Sequence, residues 1–223
     1  MTTSTTSTGT VVTPTAAAHP GWRRAAAVAA IAAPLAELLA VAVGVEHTTD
    51  AARQVDIIAN HTASFTAMVL LELVCYTLVA VVAVAVALRI SSGRGSRFAA
   101  VGAVCAVIGA VATNNGFGGP LPTLARHDPA TAVYFVNHIG PIYSATLPLA
   151  TLVYLGLLLM FVALWRSGKV AWPWLAVSAV ALVVSAVIGS GRVENVVVMA
   201  VLTGGFVGIA RFLGSADPSH HAG

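Results

Sequence analysis

Six stretches of this chain are apolar almost throughout, and the polar residues gather in the gaps between them. The stretches are Ala25 to Val45, about Ser64 to Leu88, Phe98 to about Ala112, Ile142 to Trp165, Val170 to Ile188, and about Val196 to Leu213. A helix rises about 1.5 Å per residue and needs roughly 20 residues to cross the hydrocarbon of a bilayer. Most of the runs reach that length. The third is the shortest, with Asn114–Asn115 expected at its wet end. The pattern predicts an all-α, polytopic bundle of six transmembrane helices.

The gaps carry structure of their own. From Glu46 to Ser92 there is neither Gly nor Pro, so "TTDAARQVDIIANH" is expected to be helix running straight into the second span, with Thr48 or Thr49 as its cap. The gap after the third run opens with the turn-rich "NNGFGGPLP". It continues as "HDPATAVYFVNHIGP", where Asp128 is an N-cap, Pro129 the first helical position, and Gly140–Pro141 a break. Together the two gaps predict a short helical cap over the outer mouth. Residues 1–21 are rich in Thr and Ala, lack a charged side chain, and read as a disordered tail. A cleaved signal peptide fits poorly, because Arg23–Arg24 come late and the run after them is long enough to span. Residues 22–213 are then the transmembrane domain and 214–223 a flexible C-terminal tail.

Composition makes lipid the solvent. The 223 residues are 58% hydrophobic and 9% charged, whereas a soluble domain carries about 25% charged residues. Net charge is +3 with 11 basic residues in all, too few for a nucleic-acid surface. With the amino terminus cytoplasmic, the inner segments hold eight basic residues: Arg23, Arg24, Arg89, Arg94, Arg97, Arg166, Lys169 and Arg211. The outer segments hold three, Arg53, Arg126 and Arg192. That asymmetry obeys the positive-inside rule and places both termini in the cytoplasm. A multi-pass protein of a bacterial plasma membrane is the expected setting. Trp22, Trp165, Trp172 and Trp174 fall at inner boundaries, as interfacial anchors do.

Glu37, inside "PLAELLA", and Glu72, inside the second run, break the apolar pattern. Each lies eight residues from the outer end of its span, about 12 Å deep. Consecutive antiparallel helices are usually neighbours, so the two carboxyls are expected to face each other. A charge at such depth costs a few kcal/mol. The pair is therefore expected to hold at least one proton at neutral pH and to titrate as a unit. The competing role is interhelical glue, with Tyr76, Thr66, Tyr143, Ser144 and Thr146 as hydrogen-bond partners. No basic residue lies inside a span, which excludes a buried Lys Schiff base.

On the outer side stand Glu46, Asp50, Asp56, Asp128 and Glu194, together with His47, His61, His127 and His138. Their spacing matches no metal motif, so neither metal nor cofactor is expected. His138, beside Asn137 at the Gly140–Pro141 break, is the candidate orienting or basic group. Cys75 and Cys105 both fall in apolar runs and read as small buried hydrophobes. Small residues four apart predict close helix approach at Gly102, Ala106 and Ala110, at Ser185 and Gly189, and at Gly204 and Gly208.

Two stretches carry a resemblance. "IIANHTASFTAMVLLELVCYTLVAVVAVAVALRI" and "LGLLLMFVALWRSGKVAWPWLAVSAVAL" are similar to a bacterial family of small six-helix integral membrane proteins of unknown function. Trp174 stands where that family has a basic residue after the proline. The resemblance implies the six-helix architecture and brings no catalytic residues with it.

Three functions fit these residues. The first is proton-linked transport or binding of a small hydrophobic or protonatable ligand, in a chain that oligomerises with itself. The second is a membrane-embedded enzyme acting on a lipid-like or isoprenoid substrate, with Glu37 or Glu72 as general acid and His138 beside it. The third is a non-catalytic partner subunit whose acids are glue.

Overall fold

The computed structural model describes residues 20–46, 48–114, 121–188 and 192–215. Within them, the side chains of 20, 139–148, 174, 184–188, 192–196, 198 and 199 lie outside the description. Among the described residues the chain is all helix, in the order α1 (Pro20–Val43), α2 (Ala51–Asn60), α3 (Thr62–Arg89), α4 (Ser96–Asn114), α5 (Leu121–His127), α6 (Pro129–Ala150), α7 (Leu152–Arg166), α8 (Trp172–Ile188) and α9 (Arg192–Gly214). Three stretches, Gly21–Val43, Thr62–Arg89 and Ser96–Asn114, are long and apolar enough to cross a membrane. Residues 20 and 21, expected in the tail, already belong to α1.

The helices put small residues inward and large ones outward. Ala26, Ala29, Ala30, Ala33, Ala36 and Ala40 form the buried stripe of α1, while Val28, Ile31, Leu35 and Leu39 form its exposed stripe. In α4 the buried face is Ala99, Gly102, Ala103, Ala106, Gly109 and Ala110, and the exposed one Val101, Val104, Ile108 and Val111. Val28 is 66% exposed and Val104 58%. Water would penalise such faces, but acyl chains match them. Small buried faces let helix backbones approach closely, which is how helices associate in lipid. Accordingly α1 packs between α3 and α9, and α4 packs between α3 and α7.

α4 crosses α7 with no room for a side chain between them at Gly156. A Cβ placed on Gly156 would come 2.5 Å from the Ala106 nitrogen and 2.7 Å from the Gly102 oxygen. The Gly102–Ala106–Ala110 spacing is thus used, with Gly109 added against Val153. On α9 the position without room for a side chain is Gly205, which lies against Ser178, whereas Gly208 has only an ordinary contact with Val170. Gly189 lies outside the described residues, as does the side chain of Ser185.

One end of the bundle is basic. Arg23 and Arg89 both donate to the Ser215 carbonyl, which brings the start of α1 and the ends of α3 and α9 together. At the same end the Arg166 guanidinium lies 5.4 Å from the Phe98 ring centre, and Gly95 (φ +104°) packs on the Ala163 carbonyl. The opposite end is closed by a separate apolar cluster. In it α2, α5 and the start of α6 contribute Val55, Ile58, Leu121, Ala125 and Ala132 against Ala40, Phe65 and Met68 of α1 and α3.

Three local expectations need correction. The N-cap of α2 is Asp50, which accepts from the amides of Ala52 at 2.9 Å and Arg53 at 3.2 Å. Thr48 serves another purpose: its N–H donates to Gln54 Oε1 at 2.8 Å, and its hydroxyl accepts from the Asp50 amide at 3.3 Å. The α2 helix also stops short of α3. His61, at φ −125° and ψ 39°, separates the two, with the Thr62 hydroxyl donating to the Ile58 and Ala59 carbonyls. Finally, helix continues through Gly140–Pro141, so the break expected there is absent. Proline inside a helix in lipid is tolerated where neighbouring helices satisfy the freed groups. The interruption falls instead at Thr151, whose dihedrals (φ −64°, ψ −17°) remain helical. Its carbonyl accepts from both Tyr154 and Leu155, at 3.1 and 3.3 Å, so α6 and α7 form one nearly continuous rod.

Asp128 caps α6 as its position before Pro129 implies, accepting from the Thr131 amide at 3.1 Å. Hydrogen bonds from the Thr131 side chain and then its backbone hold the Asp128 carboxyl below the ordinary aspartate range. A lowered acid stabilises the helix start above its unfolded value and loses that contribution as pH falls through the folded value. The Thr131 amide resonance is therefore expected to stay fixed through neutral pH and shift only below the ordinary aspartate range. A midpoint at or above that range would mean the cap is not formed.

Candidate functional site

Helical spacing brings the polar residues of α3 onto one face. Cys75 and Tyr76 follow Glu72 by three and four residues, so all three project to the same side. That side meets α1, where Glu37 lies one turn after Pro34. Pro34 withholds the N–H that would bond the Ala30 carbonyl and so loosens α1 just before the acid.

The side chains converge on a cavity of about 50 Å³ among α1, α3, α7, α8 and α9. A single water needs roughly 10–15 Å³ of such volume, so there is room for a few water-sized groups. Glu37, Cys75, Tyr76 and Tyr154 supply its polar atoms, and Pro34, Leu182 and Phe206 are among its apolar walls. The Cys75 thiol lies beside the Glu37 carboxyl, and both line the cavity. Glu37 Oε2 is buried and has no hydrogen-bond partner among the described residues. Glu72 is close enough to feel the charge of Glu37, although it is not part of the cavity wall.

The arrangement is a carboxyl held in an apolar chamber with one oxygen unoccupied, flanked by two phenols and a thiol, with a second carboxyl nearby. Chemically it can accept a proton, receive a hydrogen bond from a small donor, or balance a positive charge. A buried polar atom without a partner costs about 1–3 kcal/mol. Packing alone gives no reason to keep it.

The remaining candidates separate from this cluster. His138 is exposed and turned to its own helix, with Nδ1 2.8 Å from the Tyr134 carbonyl and its ring stacked on Tyr134 at 3.7 Å. It does not line the cavity. His61 and His127 are exposed, and His47 lies outside the described residues. Among the described residues no three His, Cys, Asp or Glu side chains gather in a way that could hold a metal ion. Tyr143, Ser144 and Thr146, named as possible partners for the acids, have side chains outside the description. Thr66 is exposed on α3.

Three members of the cluster escaped sequence reasoning. Cys75 is buried, as its apolar run implies, and it also lines the cavity beside Glu37. Tyr154 sits in an apolar run with no charged residue near it to mark it. Pro34 did offer a signal: a proline in the middle of a span, one turn from an acid. Comparison with family models, with curated proteins and with solved structures finds no match to this chain.

Proposed function

We propose that this chain is a polytopic protein of a bacterial plasma membrane that binds a small protonatable ligand and moves it in exchange for, or together with, a proton held at Glu37 and Glu72. In this reading six helical rods cross the membrane: α1, α3, α4, the joined α6–α7, α8 and α9. The basic end faces the cytoplasm, together with both termini. Support comes from the gathering of Arg23, Arg89 and Arg166 at one end, which is where the positive-inside rule would put them. The apolar outer stripes of α1 and α4 add to it. The six-helix bacterial family that the sequence resembles would share this architecture.

The observation that carries the functional reading is Glu37 Oε2, buried, without a partner among the described residues, and beside a cavity. Ionisable groups at membrane depth mark substrate and proton paths. A proton on Glu37 removes the charge, and a ligand donor or cation that displaces the proton restores a partner to the oxygen. The exposed position of His138 takes away the general base that an enzymatic reading would need beside the acids.

Proteoliposomes loaded with a pH-sensitive dye test this. Under an imposed pH gradient, a panel of small amines and weak acids should produce protein-dependent proton movement above that of empty vesicles. Glu37→Gln should reduce it to the empty-vesicle level. Movement unchanged in the Glu37→Gln/Glu72→Gln double variant would end the proposal.

A further inference from the structure

At the basic end, α1, α3 and the end of α9 enclose a second cavity, of about 230 Å³. Its wall is mixed: Trp22, Arg23, Arg89 and Ser91 bring polar groups to it, and Ala26, Ala85, Leu88 and Leu213 are apolar. Arg89 is fixed by the end of α9. Its guanidinium donates to the Leu213 carbonyl at 2.6 Å and to the Ser215 carbonyl at 2.7 Å, and lies 4.8 Å from the Phe212 ring centre. Arg23 is engaged more lightly. Of the five N–H donors of a guanidinium, one goes to the Ser215 carbonyl, leaving four without a protein acceptor among the described residues. Among the described residues no carboxylate belongs to the cavity wall.

We propose that this cavity is a site for the phosphate of an anionic phospholipid headgroup. A guanidinium fork matches phosphate oxygens with paired, charge-assisted hydrogen bonds. The Ser91 hydroxyl and the Trp22 indole N–H are further donors in the same wall. The apolar part of the wall suits the glycerol and first methylenes of a lipid and would be wasted on a free phosphate ion. Trp22, 39% exposed, sits where an indole meets the headgroup level. Arg24, exposed beside Arg23, adds charge that draws an anionic headgroup to this end. Basic pockets between membrane helices are suited to anionic headgroups for this combination of reasons.

Native mass spectrometry of the full-length protein, titrated with phosphatidylglycerol or phosphatidylcholine, measures the binding directly and needs no transport assay, so its result stands apart from that of the Glu37 proposal. The parent protein is expected to retain phosphatidylglycerol in preference to phosphatidylcholine. Arg23→Gln is expected to weaken that retention about fivefold, the effect of one arginine at a membrane surface, while substitution of Arg53, exposed on α2, by Gln leaves it unchanged. The parent also provides a test independent of any variant: retention should fall as salt rises, because exposed charge pairs are screened. Equal retention of the two lipids, salt-independent retention, or no loss in a folded Arg23→Gln protein would overturn the proposal. Full displacement by inorganic phosphate in the millimolar range would overturn the lipid assignment in favour of a soluble phosphate.

Discussion

Gly156→Leu is expected to prevent α4 and α7 from closing on each other and to destabilise the bundle by at least about 3 kcal/mol, the upper part of the range for forced overpacking. The reason lies in what the new side chain would strike. A Cβ at 156 meets the Ala106 nitrogen at 2.5 Å, the Gly102 oxygen at 2.7 Å and the Ala106 Cα at 2.8 Å. All three are backbone atoms of α4, and none can swing aside as the tip of a long side chain could. The helices must separate, and separation uncovers the small-residue faces whose contact is the source of association in lipid. Gly21→Ala provides the contrast, since nothing lies within 4 Å of its added carbon. That variant should be neutral or slightly stabilising, because alanine favours helix over glycine by up to about 1 kcal/mol. Thermal or denaturant unfolding in one detergent gives both numbers. An unfolding midpoint for Gly156→Leu equal to that of the parent would show that α4 and α7 are not in contact at Gly156.

The same crossing shows what the sequence discloses and what it hides. Length and hydropathy place α3 and α4 within two residues of their observed ends, because every residue of a span must suit the same lipid. The Gly102–Ala106–Ala110 spacing marks the face of α4 that touches another helix. It cannot name the partner, and Gly156 on α7 carries no repeated spacing of its own to advertise it. Caps are legible when one residue competes for the role and ambiguous when several do. Asp128 before Pro129 has no rival, whereas Thr48, Thr49 and Asp50 all qualify. Gln54 settles that choice from within the helix by taking the Thr48 amide, leaving Asp50 to cap.

The candidate site divides in a similar way. Glu37 and Glu72 stand out because a carboxyl is costly in lipid, and Tyr76 follows from Glu72 by one helical turn. Tyr154, Leu182 and Phe206 come from helices distant in sequence, so no local pattern can place them beside Glu37. His138 was selected through a helix break at Gly140–Pro141, and the choice lost its basis when helix proved continuous there. A proline fixes which hydrogen bond is lost; whether the helix ends there depends on neighbours that sequence alone does not show.

Replacing Glu37 with leucine separates two accounts of that acid by the sign of a single free energy. If Glu37 is glue, it would tie α1 to α3 through the neighbouring Cys75 thiol, and Glu37→Leu should destabilise the bundle by about 0.6–2 kcal/mol, as for other interhelical hydrogen bonds in membranes. If Glu37 is kept for its chemistry, the protein carries the burden of a buried, unpartnered Oε2. Leucine removes that burden, and also fills part of a cavity of about 50 Å³ whose lining includes Leu157, Leu182 and Leu202. The expected result is then a stabilisation of about 1–3 kcal/mol, the cost of an unsatisfied buried polar group, together with loss of proton-linked movement. Cys75→Ala supplies the matching half, because under the glue account it should weaken the bundle as much as Glu37→Leu does. The expected outcome is a more stable and inactive Glu37→Leu protein, measured by unfolding and by the dye-loaded vesicles on the same preparation. A destabilised Glu37→Leu, matched by an equally destabilised Cys75→Ala, would instead assign Glu37 to holding the helices together. A buried acid that makes its protein less stable needs a reason in function, and this variant measures whether Glu37 does so.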